Sequence, residues 1–170
     1  MSEPGSGGVL VIGLGNPIMG DDGLGVAALA RLRQGWSVPR SVRLVDGGTW
    51  GMNLLPLIEA SNRVLLLDAI EVGGPTGSLV VLERDELPRF FALKLSPHQI
   101  DLREVLAVAE LRGRLPSHLV AMGLQPGPVE MAFGLSPDVE SRLDHLVSAA
   151  VERLERWGCV CRPLEPATSA

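Results

Sequence analysis

The sequence predicts an α/β domain of three layers, α/β/α, built on a mostly parallel, mixed and twisted sheet of about five strands. Three observations carry this. Short apolar runs alternate along the chain with segments of helical periodicity. The run Arg63-Val-Leu-Leu-Leu-Asp68 is continuously apolar up to its carboxylate, as a central parallel strand covered on both faces should be. Glycine-rich turns follow the first two strands, over residues 13–25 and 46–51.

Residues 1–7 are expected to be disordered, and residues 9–14 form the first strand. A helix over about residues 23–34 is expected to bury Val26, Ala27, Leu29, Ala30 and Leu32, and Gly35 and Pro39 end it. Residues 42–45 form a second strand, and a short helix follows over about 52–60. After the strand at 63–68 and a turn at 73–77, residues 78–83 form an antiparallel or edge strand. Residues 85–95 fit either a helical turn or a loop. Ser96 is an N-cap, Pro97 suits the first helical position, and Gln99 completes a capping box. Leu102, Val105, Leu106 and Ala109 are that helix's buried stripe. Strands are expected at 118–124 and, briefly, at 129–133. Ser136-Pro137 opens the last helix, whose apolar positions Val139, Leu143, Leu146, Val147, Ala150, Val151 and Leu154 give the strongest helical pattern in the chain. One domain over 8–157 and a flexible tail over 158–170 follow from this.

The 170 residues are enough for one full hydrophobic core, and 46% apolar with 21% charged residues is ordinary globular composition. A net charge of −5 argues against a nucleic-acid partner held through phosphates. No apolar run reaches the ~18 residues of a membrane span, and the first eight residues lack a basic segment followed by a long apolar one. No membrane partner and a cytoplasmic location are the expectation. Cys159 and Cys161, two residues apart, are expected to be reduced bystanders in the tail.

Carboxylates stand at the carboxyl ends of three strands: Asp21 and Asp22 after the first, Asp46 after the second, and Asp68 ending the third. In an open α/β sheet these ends share the edge where ligands bind. His98, in the first turn of a helix, can face the same edge. Two carboxylates and an imidazole make an O,O,N set suited to a borderline divalent ion such as Ni, Zn or Mn. The helix amino terminus disfavours imidazolium, so His98 is expected to be neutral. Each residue also has a plainer reading: Asp22 as an N-cap, Asp68 and Asp46 as turn formers, His98 as a surface residue beside a capping box. Gly13-x-Gly15 lacks the third glycine of a dinucleotide fingerprint, Ile18 standing in its place.

The ordered set of motifs resembles the hydrogenase maturation endopeptidase family. It comprises Gly13-Leu-Gly-Asn16 leading to Asp21-Asp-Gly-x-Gly25, then Asp46-Gly-Gly-Thr-x-Gly51, the Asp68-Ala-Ile strand end, and Ser96-Pro-His-Gln99. The later Gly123-Leu-Gln-Pro126 and Gly134-Leu-Ser-Pro137 also match its style. The resemblance implies a phosphorylase/hydrolase-like fold. It also implies an endopeptidase that removes the C-terminal extension from the nickel-loaded large-subunit precursor of a nickel–iron hydrogenase. It places the family's catalytic and metal-binding trio on Asp22, Asp68 and His98, with nickel carried by the substrate. Well-known members have Glu at the first position, one methylene longer than Asp22; a closer loop, a share taken by Asp21 as an auxiliary ligand, or a bridging water would each make up the difference. Asp46, Thr49 and Trp50 are expected to contact the precursor. With no Ser or Cys nucleophile evident beside a His base, a non-covalent hydrolysis is expected. Two other readings compete: a non-catalytic metal-binding maturation chaperone, and an esterase like peptidyl-tRNA hydrolase, whose Gly-Leu-Gly-Asn-Pro opening is shared but whose catalytic His-Asn segment is missing.

Overall fold

Strand and helix periods alternate in the fold as they do in the sequence. The computed structural model of the protein describes residues 7–91 and 96–166. β1 (Val9–Leu14) passes through a 3-10 turn at Gly20–Gly23 into α1 (Leu24–Gly35), and β2 (Trp36–Ser37) and β3 (Val42–Gly48) follow. A second 3-10 turn at Gly51–Leu54 opens α2 (Leu55–Glu59). Then come β4 (Arg63–Ala69), β5 (Leu79–Glu83), α3 (Leu87–Phe90), α4 (Pro97–Leu111), β6 (His118–Leu124), α5 (Pro137–Glu140), α6 (Leu143–Arg156) and β7 (Arg162–Pro163).

One sheet runs in the order β3-β1-β4-β6-β5, parallel except for β5, which lies antiparallel to β6 at one edge. This is the expected mixed, mostly parallel sheet. From β1 the chain winds to β3 on one side and then to β4 on the other, so the carboxyl ends of β1 and β4 flank the point where the winding reverses. Open α/β sheets bind ligands at that point.

Both faces are covered. Leu65, Leu67 and Ala69 of β4 join a core with Leu24, Ala28, Leu29 and Leu32 of α1 and the apolar stripe of α6. Val64 and Leu66 point the other way, into a core with Ile58 of α2 and Leu102, Val105 and Leu106 of α4. Successive side chains on a strand alternate faces. Asp68 shares the parity of Val64 and Leu66, so it is aimed at the α4 side.

The details depart from expectation in four places. α1 buries Leu24, Gly25, Ala28, Leu29 and Leu32, while Val26 and Ala27 are half-buried and Ala30 is exposed. Gly25 lets the helix approach β1 and β4 along a stripe that apolarity alone did not reveal. The strand expected at 129–133 is absent: the chain bends at Met131 and Phe133, and one bridge, Met19 to Ala132, is all that forms. The last helix is split into α5 and α6. Of the two alternatives left open for 85–95, the helical turn is the one found, at residues 87–90, while residues 92–95 lie outside the described residues. The tail is not loose where it is described. β7 pairs with β2, Leu164 N–H donates to Gly35 O at 2.8 Å, and Cys159 and Cys161 are buried in the α1/α6 core. Both thiols are free, and burial pushes each above the ordinary thiol range, which makes them poor nucleophiles. The expected disorder of residues 1–7 concerns positions that, Gly7 apart, lie outside the described residues, as do positions 167–170 of the tail.

Candidate functional site

Asp22 is fixed by the turn that follows β1. Gly15 has φ +119°, and a Cβ there would lie 1.8 Å from the Asp22 carbonyl oxygen, so only glycine lets the loop fold back this tightly. Asn16 N–H then donates to Asp22 Oδ2 at 3.1 Å. Asp68 ends β4 and accepts the Ala69 N–H on Oδ1 at 2.8 Å. His98 follows Pro97 in the first turn of α4, where the expected capping box forms and Ser96 N–H donates to Gln99 Oε1 at 3.1 Å.

The structure brings these three side chains together. His98 Nε2 lies 3.0 Å and 3.1 Å from the two oxygens of Asp68, and His98 Nδ1 lies 3.4 Å from Asp22 Oδ2. Asp22, Asp68 and His98 are 7%, 4% and 6% exposed, which is rare for such groups unless they are paired. Asp22 and His98 line a cavity of about 260 Å³ together with Asn16, Met19, Thr49 and Val129. Asp22 also lines a neighbouring cavity of about 460 Å³, with Gln99, Glu71 and Pro126 among its walls. Asp68 sits behind His98.

The imidazole stands between the two carboxylates, one ring nitrogen toward each. Burial works to lower the His98 pKa, but the hydrogen bonds and charges of Asp22 and Asp68 outweigh it and push His98 up to about 10. The expected neutral imidazole is therefore overturned in this geometry; the helix amino terminus loses to two adjacent carboxylates. Burial also pushes the Asp68 carboxyl up, against the opposing pull of His98 and Gln99 and with a further push from Asp22. With donors facing one another across the ring, the trio does not converge on one point. Among the described residues no set of three or more acidic, imidazole or thiol side chains is arranged as a ready metal site.

Two neighbours were not singled out by sequence as part of the site. Gln99 Nε2 donates to Asp68 Oδ2 at 3.1 Å and to Ala69 O at 2.9 Å, so one side chain ties the α4 capping box to the end of β4. Its place in the capping motif was the available signal. Ser96 Oγ lies 2.9 Å from His98 Nδ1, so a hydroxyl does stand beside the imidazole, contrary to expectation. A contact between residues i and i+2 depends on side-chain rotamers and leaves no mark in spacing.

The remaining candidates divide. Asp21 is 3% exposed, and both its oxygens are engaged by a distant loop: Oδ1 accepts Ser136 N–H, and Oδ2 accepts Gly127 N–H and Ser136 Oγ–H. In this geometry Asp21, expected as an auxiliary ligand, has both oxygens turned to that loop. Thr49 reaches the smaller cavity and Trp50 is exposed beside it; Asp46, expected in the turn after a strand ending at 45, is exposed within β3, which runs on to Gly48.

The family model HycI, hydrogenase maturation protease, matches residues 26–153. The hydrogenase expression/formation protein HupD of Rhodobacter capsulatus is 39% identical over 152 residues, covering 88% of this chain and 72% of that one. The hydrogenase 2 maturation protease of Escherichia coli is 32% identical over 158 residues, covering 92% and 96%. The solved structure of the hydrogenase maturating endopeptidase HybD from E. coli superposes with a TM-score of 0.88 at 32% identity, over 92% of this chain and 97% of that one.

Proposed function

The chain belongs to the hydrogenase maturation protease family, and from that premise we propose that it removes the C-terminal extension of a nickel-loaded hydrogenase large-subunit precursor. Asp22, Asp68 and His98 complete the coordination of nickel that the precursor brings with it. One observation carries this reading: carboxylates placed after β1 and at the end of the adjacent β4 flank one buried imidazole, Asp22 at 3.4 Å and Asp68 at 3.0 Å, where Asp22 and His98 line a cavity.

In the substrate-free geometry the imidazole is held between the acids, so engaging substrate nickel requires the His98 proton to leave and a ring nitrogen to turn toward the ion. Carboxylates and an imidazole suit nickel as oxygen and nitrogen donors. Holding the ion fixes the adjacent peptide in the cavity and supplies orientation. Water then adds to the scissile carbonyl carbon, the C–N bond breaks, and the departing amine takes a proton. Asp22, which lines both cavities, is the carboxylate placed to orient and deprotonate that water.

A covalent route through Ser96 is the second reading, favoured by its 2.9 Å approach to His98 Nδ1. Against it, the Ser96 hydroxyl is already engaged as the N-cap of α4, where it accepts the Gln99 backbone N–H. Retained cleavage by Ser96→Ala excludes the covalent route.

The decisive assay offers nickel-loaded and nickel-free precursor to the protein and follows the shortened product by mass spectrometry. Only the loaded form should be cut; equal cutting of both removes nickel sensing, and no shortened product from either leaves a metal-binding chaperone. The exposed Asp46 near the end of β3, with Thr49 and Trp50 just after it, forms a recognition edge beside the cavity. Asp46→Ala should slow processing about tenfold with an unchanged melting temperature; wild-type processing would make that edge a plain strand end.

A further inference from the structure

The loop from Gly127 to Ser136 is fastened at three points. Its ends meet on the Asp21 carboxylate, at 2.9 Å for Gly127 N–H, 2.8 Å for Ser136 Oγ–H and 2.7 Å for Ser136 N–H. Midway, Ala132 N–H donates to Ile18 O at 3.2 Å, and Gly20 N–H donates to Ala132 O at 2.9 Å. Between these fastenings the loop displays Val129, Met131 and Phe133, which are 58%, 82% and 92% exposed, with the exposed Ile18 alongside. Large apolar side chains held out on a pinned backbone mark an interaction surface, and a pinned loop loses little freedom when it docks.

We infer that this loop docks the hydrogenase precursor, with Met131 and Phe133 entering an apolar recess on that protein beside its cleaved segment. The inference rests on the function proposed above. The occupant follows from continuity with the site: Val129 lines both cavities at Asp22, and Met19, which bridges to Ala132, lines the smaller one. Whatever covers the loop also covers the mouth of the site. A second copy of this chain seated there would shut out a polypeptide substrate. Glu130 is the sole charged residue between 126 and 136, so apolar burial rather than charge drives the contact. Adjacent acids thereby divide the work: Asp22 faces the chemistry, and Asp21 is a positioning residue that holds the docking loop in register with it.

The test uses the full chain and a folded, nickel-loaded precursor, with Met131→Ser and Phe133→Ser separately and combined. At such exposure these changes should leave the melting temperature unmoved. KM for the precursor should rise about tenfold in the double variant while kcat stays constant, and Phe133→Leu should restore most of the loss. The KM increase should persist from low to moderate salt. A wild-type KM in the double variant overturns the inference, as does a wild-type protein that is a dimer in solution and becomes a monomer in the double variant. Failure of the wild-type protein to cut any precursor would overturn the protease reading instead. Calorimetric binding of uncut precursor by wild type and double variant then decides the loop: weaker binding by the variant supports it, and equal binding overturns it.

Discussion

Replacing Asp68 with asparagine should cut precursor processing about a thousandfold while changing fold stability by no more than about 2 kcal/mol. The two effects separate because the substitution keeps shape and removes charge. An asparagine oxygen in the place of Oδ1 can still accept the Ala69 N–H and the His98 Nε2–H. The amide nitrogen, in the place of Oδ2, would face Gln99 Nε2, donor against donor, and that clash is the main structural penalty. Against it stands a gain, since burial already pushes the Asp68 carboxyl toward its neutral form. Under the proposed function activity has no such compensation: the variant would lose an anionic ligand for the precursor's nickel, together with the charge that pairs with the His98 ring. Steady-state cleavage beside thermal unfolding measures both. Processing within tenfold of wild type would remove Asp68 from the chemistry.

The same substitution should change how stability depends on pH. The folded protein keeps its proton on His98 up to about pH 10, whereas an unfolded histidine releases it near 6.5. Between those values the folded state binds more protons than the unfolded one, so stability falls as pH rises, by at most ~1.4 kcal/mol per pH unit. The stabilisation is complete below pH 6.5 and gone above about pH 10. Asp68→Asn removes one of the two carboxylates that raise His98, so its window should narrow and its loss flatten. Urea unfolding between pH 6 and 10 reads the difference; parallel profiles for the two proteins would refute the coupling.

Much of this site was legible because its positions lie on regular elements. An unbroken apolar run marks a central strand and sets Asp68 at its carboxyl end, and the Ser96-Pro97-x-Gln99 pattern pins the start of α4 to the residue, so the sheet edge shared by Asp68 and His98 was readable. The face of β4 that Asp68 takes was not, because both faces are apolar. What the pattern missed depends on close approach and on rotamers. Val26, Ala27 and Ala30 were expected to be buried because they are apolar; the helix instead turns its Gly25 and Ala28 inward, where small size matters more than hydrophobicity. Alternating Val129, Met131 and Phe133 looked like a strand, but the segment follows Pro126-Gly-Pro128 and bends, leaving those side chains in water. The protonation of His98 was misjudged because the two carboxylates were expected to share an ion with the ring, whereas each lies against one of its nitrogens and together they outweigh the helix amino terminus.

Gly25→Ala should be the most damaging single-methyl change in α1, destabilising the protein by about 3 kcal/mol and lowering its melting temperature by about 8 °C. A Cβ there would lie 1.9 Å from Leu67 O, 2.4 Å from Leu14 O and 2.6 Å from Leu14 N, all backbone atoms of the two central strands. Backbone hydrogen-bonded into a sheet has no rotamer with which to retreat, so the helix itself must move. Alanine's better helix propensity, about 1 kcal/mol, offsets only part of this. Displacement of the helix would carry the preceding turn with it, and Asp22 is three residues upstream, so processing should fall further than stability alone accounts for. Gly35, the last residue of the same helix, is the control: nothing lies within 4 Å of a Cβ there, and Gly35→Ala should be neutral or slightly stabilising. Equal melting temperatures for the two variants would show that the contact between α1 and the sheet yields to a methyl group, and that the glycine is not what sets the position of Asp22.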